Sequence, residues 1–110
     1  MSNEQSADRR ENQSGPLELL LKARREDILS SVHRHGARNV RVFGSVARGE
    51  ASAESDVDFL VDAGEKTSPW FPAGLVEELE ALLGRPVEVV TENSLHWLLR
   101  RRILKEARPL

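Results

Sequence analysis

Two aspartates one residue apart, Asp56 and Asp58, lie inside the run Ser55-Asp56-Val57-Asp58-Phe59-Leu60-Val61, and that placement narrows what the chain can fold into. Val57, Phe59 and Val61 recur at a spacing of two, which predicts a strand. On a strand Asp56, Asp58 and Leu60 share one face, while Val57, Phe59 and Val61 bury the other. The two carboxylates, roughly 7 Å apart along the backbone, repel each other unless a cation lies between them. Upstream, Val40-Arg41-Val42-Phe43 reads as a second strand, β-branched and aromatic. Gly44-Ser45 ends it and opens a short helix, whose free N–H groups and hydroxyl would cradle an anion. Ten residues separate Ser45 from Asp56. An anion cradle beside a carboxylate pair is the equipment of metal-assisted phosphoryl or nucleotidyl transfer.

The 110 residues make one domain with a modest core, expected over 17–110 after a polar, disordered leader at 1–16. The chain has no cysteine, which excludes disulfide frameworks and thiolate zinc sites and agrees with a cytoplasmic location. No apolar run approaches the roughly 18 residues of a membrane span. The net charge of −2 hides an asymmetry. Residues 17–93 carry nine basic and fourteen acidic side chains, whereas residues 94–110 carry five and one, giving −5 against +4. A basic tail on an acidic body suits nucleotide phosphates or an acidic partner, and equally a solvated helix face. Charge alone does not make this a DNA-binding protein.

From Leu17 a helical pattern begins, with Leu20, Leu21, Ile28, Leu29 and Val32 on one stripe. Gly36 is the expected C-terminal cap, and His33, Arg34 and His35 suit the negative end of the helix dipole rather than a metal. Residues 63–72 form a Gly- and Pro-containing loop whose Trp70 and Phe71 are expected to cap the core. Leu75, Val76, Leu79, Leu82 and Leu83 give a second amphipathic helix, closed by Gly84, with Glu77, Glu78 and Glu80 toward water. Pro86 starts a third strand, Val87-Glu88-Val89-Val90. Asn93 or Ser94 should cap a last helix from Leu95 to about Ala107, with Leu95, Leu98, Leu99, Ile103 and Trp97 inward. Of Arg100, Arg101 and Arg102, the last is nearest the apolar stripe and best placed to reach the site. The order helix, strand, strand, helix, strand, helix reads as α/β (α+β), a small mixed sheet with helices mainly on one face.

Mg²⁺ takes hard oxygen ligands and keeps some water, so a few carboxylates and the substrate phosphates suffice. Asp56 and Asp58 would share two such ions, and Glu88 would bind the second or act as general base. Gly44 and Ser45 would grip the outer phosphates of a nucleotide. Arg48, one turn later, would pair with phosphate or with a carboxylate behind the site. Taken singly, these residues have plainer uses: Asp-X-Asp is common, Gly-Ser is a turn, Arg48 a structural cation, and Glu88 an edge-strand charge that discourages pairing. Their combination carries the reading.

Gly44-Ser45-Val46-Ala47-Arg48-Gly49-Glu50 followed by Ser55-Asp56-Val57-Asp58-Phe59-Leu60-Val61 resembles the signature of the nucleotidyltransferase superfamily, and the small size its minimal, MNT, branch. Gly84-Arg85-Pro86-Val87-Glu88-Val89-Val90-Thr91 is similar to the family's third acidic strand, and Arg102-Ile103-Leu104-Lys105-Glu106-Ala107 to its ending. The resemblance covers residues 17–110. It implies the polymerase-β-like fold and Mg²⁺-dependent transfer of NMP, here AMP, from an NTP such as ATP. Nucleotide-binding Gly44, Ser45 and Arg48 and catalytic, metal-binding Asp56, Asp58 and Glu88 follow from it. It further implies an antitoxin that adenylylates a tyrosine of a cognate HEPN-domain toxin. Glu88 departs from the family's usual Asp, and the added methylene leaves open an antitoxin that neutralises by binding alone. Transfer to a small molecule of the aminoglycoside kind is a third alternative, disfavoured by the lack of an acceptor-holding helical domain.

Overall fold

The computed structural model describes residues 15–52 and 54–110. Residues 15–23 are helical (α1), and after Arg24 a second helix, α2, spans Arg25–Arg34. The expected single helix is thus interrupted only at Arg24, and its hydrogen bonding runs on through that point: Arg24 N–H donates to Leu20 O and Ile28 N–H to Arg24 O, both at 2.9 Å. Leu17, Leu21, Ile28 and Val32 are all buried, as their spacing predicts. Residues 15 and 16, assigned to the leader, already belong to α1; the rest of that leader, up to residue 14, lies outside the described residues.

Four strands follow: β1 Ala37–Phe43, β2 Val57–Ala63, β3 Val87–Thr91 and a short β4, Arg108–Pro109. They pair in the order β3-β2-β1-β4. β1 runs antiparallel to β2 and β4, and β2 parallel to β3, so the sheet is mixed as expected. β4 has no period of its own and is held by the edge of β1. Between β1 and β2 lies the single turn α3, Gly44–Ala47. Helix α4, Ala73–Leu83, precedes β3, and a 3-10 turn, Glu92–Ser94, leads to α5, Trp97–Glu106.

Val57, Phe59 and Val61 of β2 are completely buried, with Ile28 of α2 and Leu75 and Leu79 of α4. Each such side chain contributes about 1.5–3 kcal/mol relative to exposure. Leu60, on the aspartate face, is also fully buried. Its register partners Arg41 and Val90 flank it, and the Arg41 guanidinium bonds Asp62 at 2.8 Å. Gly84 closes α4 in the left-handed conformation, as predicted, at φ 67°.

Several expectations are corrected. Trp70 is 86 % exposed, while Phe71 beside it packs on the core. The backbone at Trp70 is left-handed, with φ 64°, and of the two adjacent rings only Phe71 packs against the core. The last helix starts at Trp97 with His96 as its cap, Nδ1 accepting from Leu98 N–H. Ser94 instead closes a capping box with Thr91. Trp97, Leu98 and Leu99 point outward rather than inward. α5 rests chiefly on α3, and a four-residue turn cannot cover a ten-residue helix. Arg102 is exposed and makes no ion pair among the described residues, yet its charge helps lower the carboxyl pKa of Glu106, the side chain that bonds Gly44. Glu78 and Glu80 are not simply solvated: Glu80 accepts from Val87 N–H at 3.0 Å, and Glu78 binds His35 at 2.6 Å.

Candidate active site

Because β1 and β2 are antiparallel, the end of one meets the start of the other, and Phe43 is the register partner of Asp58. Gly44 follows with φ +71°, a conformation that disfavours any other residue. A Cβ added there would overlap the Asp58 carboxylate, so the glycine is what lets that side chain lie against the bend. On the other side of β2, the parallel pairing sets Glu88 beside Asp58 in register. Adjacent strands stand about 4.8 Å apart. Asp56 lies one residue before β2 begins, at the mouth of the strand.

Burial pushes the Asp58 carboxyl up to about 6, and the nearby Glu88 and Asp56 carboxylates push in the same direction, with Arg48 opposing. Negative charge is thus concentrated at one point of the sheet. Glu88 and Asp56 are exposed and Ser45 half-buried, and all lie around the same open strand ends. The available donors are hard carboxylate oxygens, the set that Mg²⁺ takes. Among the described residues no three His, Cys, Asp or Glu side chains close in on one metal position. Mg²⁺ sites need no such cage, because one or two carboxylates are completed by water and phosphate.

Arg48 takes the second of the roles open to it. Its Nη1 donates to Glu106 Oε1 at 2.9 Å and its Nε to Glu50 Oε1 at 3.0 Å. The hydrogen bond to Glu106, then that to Glu50, raises the guanidinium pKa further. Glu106 Oε2 also accepts from Gly44 N–H at 2.8 Å. Burial works to raise the Glu106 carboxyl, but Arg48 and the Gly44 N–H outweigh it and hold the group below its usual value. Glu106 therefore braces the bend from α5. Sequence reasoning assigned it no role; its signal was that it is the lone acid among the five basic residues of 94–110. A separate groove, between α1 and the β1–β4 edge near Lys22, Val42 and Arg108, holds none of these groups. The candidate site is the open sheet end, not that groove.

A mixed sheet that brings a Gly-Ser bend and clustered carboxylates to one end defines a nucleotide-handling transferase. The chain belongs to the nucleotidyltransferase domain family, whose model matches residues 23–110. It is 45% identical over 80 residues to MJ0435 of Methanocaldococcus jannaschii, assigned as a protein adenylyltransferase, covering 73% of this chain and 86% of that one. It is 41% identical over 90 residues to the protein adenylyltransferase MntA of Thermococcus cleftensis, covering 82% and 88%. A solved structure assigned as a minimal nucleotidyltransferase is 52% identical, with a TM-score of 0.74 over 86% of this chain and 95% of that one. The fold is shared as well by a crystal structure described as a toxin–antitoxin with AMP-PNP, at TM-score 0.66, 20% identity, and 76% and 69% coverage. The chain is a nucleotidyltransferase with the expected mixed α/β architecture.

Proposed function

We propose that the chain transfers AMP from ATP to a protein hydroxyl, a tyrosine of a cognate HEPN-domain toxin, and thereby acts as an antitoxin in the cytoplasm. The observation that carries this reading is the Asp58 carboxylate packed against the Gly44 bend with Glu88 in register beside it. The relatives named protein adenylyltransferase, and the fold neighbour described as a toxin–antitoxin, support the acceptor and the partner.

In this reading the Gly44–Ser45 bend and the Ser45 hydroxyl bind the outer phosphates, and Glu106 with Arg48 keeps the bend in shape. Asp56, Asp58 and Glu88 would hold Mg²⁺, which supplies charge compensation for the triphosphate and acidifies the attacking hydroxyl. The acceptor oxygen forms a bond to the α-phosphorus as the bond to the bridging α–β oxygen breaks. Pyrophosphate leaves, and Glu88 takes the acceptor's proton.

The test uses the purified chain, Mg²⁺, the product of the adjacent gene, and ATP labelled at the α- or the γ-phosphate. Label from the α position should stay on the partner and γ label should leave with pyrophosphate. Asp58→Ala should lower transfer by at least about 100-fold, the upper end of the loss seen when a residue that only supports a metal ligand is removed. No α label on the partner, or label indifferent to Asp58, contradicts the reading. Glu88 is exposed and longer than the family's Asp, which favours a second reading, neutralisation by contact alone. A toxin silenced equally well by Asp56→Ala/Asp58→Ala, with no label, would establish it.

A further inference from the structure

α5 is amphipathic, yet none of its residues is buried. Trp97 is 74% exposed, Leu98 63% and Leu99 51%. Large side chains left out in this way along one helix mark a surface that something else covers. The helix is nevertheless held firmly at its far end. Glu106 accepts from Gly44 N–H and from Arg48, and β4 then pairs with β1 directly after it. The exposure thus belongs to an anchored element.

Helical spacing sorts the exposed residues. Trp97, Arg101 and Lys105 recur at intervals of four, and Leu98, three residues before Arg101, flanks the same face on the Lys105 side. Among the described residues Arg100, Arg101, Arg102 and Lys105 form no ion pair. The one acid of the segment, Glu106, is already taken up by Gly44 and Arg48. The face is therefore aromatic, aliphatic and positively charged with its charge uncompensated. Trp and Arg are the residue types that dominate binding energy at protein interfaces. The −5 charge of residues 17–93 works against a nucleic-acid backbone lying across the molecule, while a local acidic patch on a protein can meet α5 alone.

We propose that the Trp97, Leu98, Arg101 and Lys105 face of α5 is the docking surface for an acidic protein partner. This deepens the proposed function and rests on it, since the docked protein would be the one that receives AMP. A ten-residue helix is about 15 Å long, so a protein lying along α5 is within one helix length of Gly44 and Asp58. The helix would then position the acceptor beside the nucleotide.

The test measures the affinity of the full-length chain for the purified product of the adjacent gene, by calorimetry at two salt concentrations. Arg101→Glu/Lys105→Glu should weaken the complex by at least about 100-fold, and Trp97→Ala by about tenfold. Both variants should bind AMP-PNP as the wild type does, which shows that the fold and the nucleotide site are intact. Unchanged affinity for the partner in both variants overturns the proposal, as does a wild-type chain that forms no complex with it. It is also overturned if sedimentation shows a homodimer that Trp97→Ala dissolves, or if an RNA oligonucleotide binds the face more tightly than the protein does. A complex that follows the proposal but accepts no α label refutes the transferase reading and leaves the docking surface established.

Discussion

Asp58 is kept ionised at pH 7 against its surroundings, because burial and the neighbouring carboxylates push its carboxyl up to about 6 from an ordinary 3.8. A raised folded-state pKa means that the folded chain binds the proton more tightly than the unfolded one. This group's contribution is most favourable below about pH 4 and is lost as pH rises through about 6. With partial solvent access the penalty at pH 7 is about 2 kcal/mol. Asp58→Asn should therefore raise the melting temperature at pH 7 by several degrees, with the gain gone at pH 4, while AMP transfer collapses. A variant no more stable than wild type at pH 7 would show that the carboxylate is not under this strain. Gly44, Ser45, Asp56 and Asp58 were legible in the sequence because a turn residue and a period of two fix local geometry without the rest of the fold. Glu106 was not, since its partner Gly44 lies 62 residues away and no local pattern announces the contact.

At the scale of elements, α2 and α4 are clamped by a cluster that includes Ser31, Arg34, His35, Ser68 and Glu78. His35 Nδ1 meets Ser68 Oγ and Nε2 meets Glu78 Oε2, each at 2.6 Å, and Arg34 pairs with the same carboxylate. The Ser31 hydroxyl has the largest effect on Glu78, although its geometry falls short of a full hydrogen bond; with Arg34 and His35 it holds the carboxyl down at about 2. A lowered folded-state pKa adds stability that is complete above the unfolded value near 4.5 and disappears as pH falls through about 2. The carboxylate is a third exposed, so screening reduces the contribution to about 1 kcal/mol. Glu78→Gln should melt a few degrees lower than wild type at pH 6, and the two should converge near pH 2. A gap that persists at pH 2 would assign the loss to packing instead. The leucine stripe and Gly84 made α4 legible. For α5 the same kind of stripe showed which side was apolar, but not that among the described residues chiefly the four-residue α3 packs against it. β4, two residues with a proline, has no sequence signal and exists only because β1 offers an edge.

For the whole molecule, the decisive fact is the mixed sheet. An antiparallel β1–β2 pair brings the end of β1 to the start of β2, and a parallel β2–β3 pair brings the start of β3 to the same place. Gly44, Asp58 and Glu88 are gathered by that topology. The order of elements along the chain could be read as a class, α/β with a small mixed sheet and helices mainly on one face, while the strand order and the direction of each pair are visible only in the structure. The account stands on Gly44 and Asp58 serving one nucleotide. The direct measurement is calorimetric binding of AMP-PNP with Mg²⁺ to wild type and to Gly44→Ala, whose new methyl must displace the Asp58 carboxylate. The account predicts a folded variant, checked by circular dichroism, whose affinity falls by about tenfold or more. A folded Gly44→Ala chain that binds AMP-PNP as tightly as wild type would contradict it.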